Sequence, residues 1–397
     1  MPETSQPSLP DPGALREIQS HLSAKLKFTL EQRNLALLAV TAVVRDQQAL
    51  IHALQRERGS TNLRLSAQHH LYVELMTEFR QESDRARSAM LASLNQLLPQ
   101  PHVNAMGYGF LNKVALALQA LEMLDALRDD VDGARITRDQ AIVSFSQIIE
   151  AQLLVVFELA QLENHPHILK VLVTLVLVMQ GKELAGQERA LLCAGFASGV
   201  IPEPLKAALD HRRNGQAHCL ELFARQAPAD LVALHERFLA GPVAPELDRL
   251  RALAQHAPPD GSPLANPPVL LWFDQATAYI DHLHTLETRL GETLTAACRE
   301  PGAAPDQAAR ASDAAQPSLE LVASQSCRLV AVEAELRALH QILGERHLID
   351  RAKALLMNRE QMTDPQAYRH LQRVSMETSQ KITAVARQVV SRLDTAP

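Results

Sequence analysis

Residues 15–297 repeat apolar side chains at helical spacing, interrupted only by short clusters of proline and glycine. Breaks fall at residues 98–101, 132–133, 164–166, 199–204, 226–228 and 241–242, with a longer one over 257–268. The segments between them run to roughly 20–40 residues, a length suited to antiparallel bundle helices. Strands would need glycine-bearing turns and β-branched or aromatic runs. Glycine is 15 of 397 residues, about 4% against ordinary usage near 7%, and aromatic residues are 4%. The pattern predicts an all-α protein, and the length predicts two or three domains with sizeable cores.

The same punctuation divides the chain. Residues 1–13 are proline-rich and read as a disordered tail, and 14–298 form one large helical domain. Residues 299–318, rich in Ala, Pro and Asp with almost nothing to bury, read as a flexible linker. Within 319–344, Leu329, Val332, Leu336, Leu339 and Leu343 are spaced 3, 4, 3, 4. This heptad seam suits either a short dimer stalk or a helix docked on the larger domain. Residues 345–397 form the last unit.

The most apolar stretch, 171–179, is about half of a bilayer span and lies between Lys170 and Lys182. It reads as a helix buried on most of its circumference. The N-terminus lacks a basic region followed by an apolar core, so a soluble cytoplasmic protein is expected, without a membrane partner. Cys193, Cys219, Cys298 and Cys327 form no C-x-x-C pair and are expected to be reduced and mostly buried. His69, His70, His165, His167, His282 and His284 are poorly spaced for a shared helical face and are expected at the surface.

The overall charge of −6 conceals a contrast. Residues 345–393 carry nine Lys/Arg against five Asp/Glu, a net of +4, leaving −10 for the rest. The basic side chains include Arg351, Lys353, Arg369, Arg373 and Lys381, mainly off the apolar stripes of three short amphipathic helices. Thr363, Asp364 and Pro365 supply an N-cap with proline in the first turn. Ala367, Tyr368, Leu371, Val374 and Ser375 are expected on one face of that helix. Ile382, Val385, Ala386, Val389, Val390 and Leu393 form the stripe of the next. A basic face on an otherwise acidic chain points to nucleic acid.

Residues 352–357 (AKALLM), 367–372 (AYRHLQ), 375–376 (SM) and 385–389 (VARQV) resemble the ANTAR domain. That family is a three-helix RNA-binding module of transcription antiterminators. Ala354 stands where the family usually has Gly, and Ser375 where Ala is usual. The resemblance implies binding to a leader-RNA hairpin, with a contact to the transcription machinery. The apolar pattern places Tyr368 in the core with its hydroxyl at the rim, so Arg and Lys contacts should dominate.

In the large domain, Arg58 interrupts the stripe Leu50, Leu54, Thr61, Leu65, and Arg189 interrupts Ala185, Leu192, Phe196. The surrounding words also agree: 55–59 reads QRERG and 186–190 reads GQERA. A buried guanidinium needs an anionic partner or several acceptors. Two of them on neighbouring helices could grip a small planar oxyanion such as nitrate, nitrite, carboxylate or sulfate. Alternatively, each pairs with a neighbouring Glu or Asp. Arg56 lies near the same mouth, and Arg249 or Arg251 could supply a third arm, although a solvated surface placement is favoured for that pair.

Residues 52–65 (HALQRERGSTNLRL) and 181–196 (GKELAGQERALLCAGF), with Trp272 and Phe273, resemble the NIT domain, an all-helical nitrate- and nitrite-sensing module. A NIT domain, a linker and an ANTAR domain is the order found in nitrate-responsive antiterminators. The resemblance implies nitrate or nitrite as regulatory ligand and no cofactor. By position the ligand arginines are Arg58 and Arg189, with Arg56 and Arg249 as further candidates. A homodimer is expected. In the apo state the acidic body would mask the basic module, and the anion would release it.

Nothing points to an enzyme. E-x-x-H, H-E-x-x-H, the P-loop and G-x-S-x-G are all absent, and residues 107–112 (GYGFLN) lack the third Gly of a dinucleotide fingerprint. The competing function is a helical protein-interaction or dimerisation scaffold with an RNA-binding tail.

Overall fold

The computed structural model describes residues 12–66, 70–163, 165–258, 264, 266–299, 352–353, 355–357, 362–378 and 382–394. The linker, the heptad seam, Cys327, Arg351 and Lys381 lie outside the described residues. The chain divides into two compact units, residues 1–320 and 321–397. The described elements are helical, and no strand occurs among the described residues.

The large unit runs α1 (Pro12–Ser66), α2 (His70–Leu97), a 3-10 turn (Pro101–Met106), α3 (Gly107–Asp132), α4 (Arg138–Leu162), α5 (Pro166–Ser198), α6 (Glu203–Gln226), α7 (Ala229–Leu239), α8 (Val243–Gln255) and α9 (Val269–Arg299). Each break expected from proline and glycine falls between two of these elements. Lengths spread further than expected, from 55 residues in α1 to 11 in α7. No proline or glycine occurs between residues 14 and 58, so nothing in the sequence ends α1 early. Thr137 caps α4 in a reciprocal box with Gln140, and Gly199, at φ 73°, closes α5 in the left-handed conformation.

α1 packs on α2, α4 and α9 and crosses α5, while α3 lies on α4. α5 packs on α6, α9 and α4, with α7 and α8 on α9. The four-residue connection from α5 to α6 makes that packed pair antiparallel. Two groups, α1–α4 and α5–α9, therefore share α1, α4, α5 and α9 as their common seam. Every residue from 171 to 190 is buried, so α5 is enclosed on all sides through that stretch, beyond the partial burial expected of it.

Among the described residues α4 is long and apolar enough to cross a bilayer by length and composition, but 61% of its apolar window is buried in the fold. Its fully buried Gln152 accepts from Gln47 at 2.7 Å and donates to the Ala117 carbonyl at 2.9 Å, as befits a core helix.

Cys193, Cys219 and Cys298 are free and buried, and burial pushes their thiols up to about 12, 12 and 11. His282 corrects the expectation of surface histidines. It is buried, and its Nε2 lies 3.0 Å from Nδ1 of His235 on α7 while Phe238 stacks on its ring. The i, i+2 spacing from His284 put the two rings on different faces of α9, so one could be enclosed.

In the small unit residues 352–353 and 355–357 are helical, followed by α10 (Asp364–Thr378) and α11 (Ile382–Asp394). Thr363 takes the N-cap position, its backbone N–H and hydroxyl both donating to Gln366 Oε1 at 2.9 Å. Ala352, Leu356, Ala367, Leu371, Val385 and Ala386 form the core, flanked by Met362, Val374, Ile382, Val389 and Val390.

Burial, with His235 adding to it, lowers the His282 imidazole from 6.5 to about 4. Between those values the unfolded chain binds a proton that the fold refuses, so stability should fall as pH drops from 6.5 toward 4. Urea titrations across that range should show the loss, and His282→Gln should reduce it, with His52 and His235, which burial also lowers, carrying the remainder.

Candidate functional site

The enclosed stretch of α5 crosses α1 where α1 is itself buried from residue 57 to 63. Arg58 from α1 and Arg189 from α5 meet there, 1% and 5% exposed. The crossing is close because each guanidinium packs against a glycine of the other helix. A Cβ on Gly59 would lie 2.5 Å from Arg189 Nη2, and one on Gly186 would lie 2.5 Å from Arg58 Nη2.

The two cations are treated differently. Arg58 donates Nη1 to Glu183 Oε1 at 2.5 Å and Nη2 to Glu183 Oε2 at 3.1 Å, a bidentate pair, and Nη1 also reaches Ser146 Oγ on α4 at 2.8 Å. Gln55 and Gln187 each donate to the same carboxylate at 2.9 Å. Arg189 donates to Thr277 Oγ1 on α9 at 2.9 Å and toward the Gln55 carbonyl at 3.4 Å, with its guanidinium carbon 5.0 Å from the Phe273 ring centre. The neighbouring Trp272 indole donates to the Arg189 carbonyl. Among the described residues no carboxylate lies within ion-pair distance of Arg189. Burial pulls its guanidinium down to about 10, and the charge of Arg58 pushes the same way.

The repeated sequence words place their glutamates alike. Glu57, fully buried, accepts from Arg128 of α3 at 2.7 and 2.9 Å, and Arg128 goes on to Asp84 of α2. Glu188 accepts from Arg251 of α8 at 2.8 and 2.7 Å and from Gln216 of α6 at 2.7 Å. Against the cost of burial, these carboxylates hold both arginines above their ordinary value. Beside the crossing, Lys182 and Glu287 form a fully buried ion pair. His284 joins it at 3.2 Å and stacks on His52, which burial and the Lys182 charge hold far below the usual histidine range.

Of the residues expected at the site, Arg58 and Arg189 come together and the others do not. Arg56 turns to α2, pairing with Glu82 at 2.7 Å and covering the Phe79 ring. Arg249 is exposed and pairs with Glu246 one turn back on α8. Arg251, expected at the surface with it, points inward to Glu188. A signal for that was available: Leu247, Leu250 and Ala254 are the buried face of α8, which Arg251 adjoins and Arg249 opposes. Glu183, Gln55, Ser146, Thr277 and Arg128 carried no distinguishing pattern, because their role depends on which helices become neighbours.

In the small unit Lys353 is half-buried, and Arg369 and Arg373 are exposed on consecutive turns of α10. Tyr368 lies beside them at 42% exposure, a correction of its expected core position. Ala367 and Leu371, both fully buried, define the inward face, and Tyr368 is rotated about 100° from Ala367.

Comparison with known proteins shows the family of each part of the chain. Residues 49–295 match the NIT family, described as nitrate and nitrite sensing, and residues 337–390 match the ANTAR domain. The chain belongs to the NIT family and carries an ANTAR domain after it. It is 30% identical over 376 residues to the nitrate regulatory protein of Klebsiella oxytoca, spanning 91% of this chain and 92% of that one. A 79-residue stretch, 20% of the chain, is 35% identical to part of the transcriptional regulatory protein PdtaR of Mycobacterium tuberculosis, covering 38% of it. Among solved structures, that of the NasR transcription antiterminator matches with a TM-score of 0.67 and 29% identity, over 94% of this chain and 98% of that one.

The glycines at the crossing can be tested by packing. Arg58 is fixed by Ser146 and Glu183 and cannot yield to a Cβ at residue 186. Gly186→Ala should therefore cost about 1–3 kcal/mol in urea unfolding, as overpacked cores do.

Proposed function

We propose that the protein is a nitrate- and nitrite-responsive transcription antitermination regulator. An anion gripped by Arg58 and Arg189 in the NIT domain frees the ANTAR domain to bind a leader-RNA hairpin and prevent termination. The observation that carries this reading is Arg189, an enclosed cation with no carboxylate in contact among the described residues, beside a second buried arginine. A buried charge in such a setting is stabilised by an anion. Arg56 and Arg249 have carboxylate partners away from the crossing and are the weaker arms. The supporting relative is a nitrate regulatory protein across nearly its whole length.

On the RNA side, Lys353, Arg369 and Arg373 supply the electrostatic footprint, together with Arg351 and Lys381. The exposed Tyr368 ring supplies a platform for an unpaired loop base. A regulator of leader transcripts works in the cytoplasm alongside the transcription machinery, and a homodimer would present two such faces. The ligand shifts the protein only by binding the RNA-competent state more tightly than the other.

Hairpin-RNA binding by the full chain, with and without nitrate, tests the switch. Wild type should bind more tightly with nitrate, and Arg58→Ala and Arg189→Ala should each abolish that dependence. Nitrate-independent affinity in wild type favours the scaffold reading. Across a salt series Arg369→Ala should lower the slope of log affinity against log salt by about one. Tyr368→Ala should weaken binding by about 1–3 kcal/mol at unchanged slope, with Tyr368→Phe close to wild type.

A further inference from the structure

Each buried glutamate around the crossing is held by a cation, and among the described residues none of them contacts Arg189. Glu57 is taken by Arg128, Glu188 by Arg251, Glu287 by Lys182 and Glu82 by Arg56. Buried Arg212 donates to Gln187 Oε1 at 3.1 Å and to the Ala208 carbonyl at 3.0 Å. Glu183 is taken by Arg58. Asp281 is exposed and acts on Arg189 only through space. Arg58, Arg189 and Glu183 together therefore carry a net charge of +1.

The Glu183 carboxylate is also the best-served acceptor at the crossing. Both Nη groups of Arg58, the Gln55 amide and the Gln187 amide donate to its two oxygens. A planar, singly charged group with two oxygens on one centre has the form of nitrite, or of one edge of nitrate. We infer that Glu183 is the resident counter-anion of the site, which an incoming anion must displace from Arg58, and that it sets the selectivity for singly charged planar oxyanions. The inference rests on Arg58 and Arg189 being the ligand arginines.

Two physical consequences follow. The donors that hold Glu183 become available to the ligand when the carboxylate moves aside, so affinity is the difference between two similar interactions. A monoanion brings Arg58, Arg189 and Glu183 together to neutrality. A dianion such as sulfate leaves a net negative charge where residues 171–190 shut out water, and an uncompensated buried charge is costly.

Calorimetric titration of the full chain with nitrate, nitrite and sulfate tests this. Wild type should bind nitrate and nitrite, with sulfate weaker by about tenfold or more. Glu183→Gln keeps the shape but removes the competing charge. It should tighten nitrate binding by about tenfold or more and admit sulfate. Glu183→Asp, with a shorter reach to Arg58, should tighten nitrate to an intermediate degree. Unchanged or weaker nitrate binding by folded Glu183→Gln overturns the inference, as does wild-type sulfate binding equal to nitrate. If Glu183→Gln does not fold, Glu183→Asp decides by the same criterion. Absence of nitrate and nitrite binding in wild type, or nitrate binding that survives in Arg58→Ala and Arg189→Ala, removes the ligand site itself, and the inference with it.

Discussion

Taking a guanidinium out of water is costly, and the large unit does so twice where α1 crosses α5. Much of the surrounding construction answers that cost. Glycines at 59 and 186 bring the backbones close enough for each arginine to lie against the opposite helix. Ser146 of α4 and Thr277 of α9 supply hydroxyl acceptors, and Glu183 supplies one anion for two cations. Among the described residues Arg189 is left without a carboxylate in contact.

The crossing is also tied outward on both sides. The glutamate beside each arginine holds an arginine from a more distant helix, Glu57 to Arg128 of α3 and Glu188 to Arg251 of α8. A change in the spacing of Arg58 and Arg189 therefore bears on both helical groups through charge-assisted hydrogen bonds. Close-packed interiors answer such a change by discrete rearrangement rather than by smooth yielding.

The small unit reuses one helix for two purposes. Ala367 and Leu371 of α10 bury against the core, while Tyr368, Arg369 and Arg373 face outward. The apolar pattern alone puts Tyr368 in the core, whereas the packed helix leaves it exposed. An aromatic ring one residue beyond a small buried alanine belongs equally well to the edge of the stripe or outside it, and packing against neighbouring helices decides.

The sequence by itself determined the helices, their breaks and the inward direction of Arg58 and Arg189. All of these follow from local rules: proline and glycine end helices, and a 3.6-residue period assigns a face. The contrast between a basic C-terminal module and an acidic remainder was equally legible. Only the tertiary structure decided which carboxylate meets which arginine. Glu183 lies 125 residues from Arg58, and Arg251 lies 63 from Glu188. The helical period of α8 turns Arg251 toward its buried face and Arg249 away, but only the packed helices bring Glu188 to meet Arg251. The net charge of a buried cluster belongs to side chains gathered from several helices, and it exists only after those helices have met.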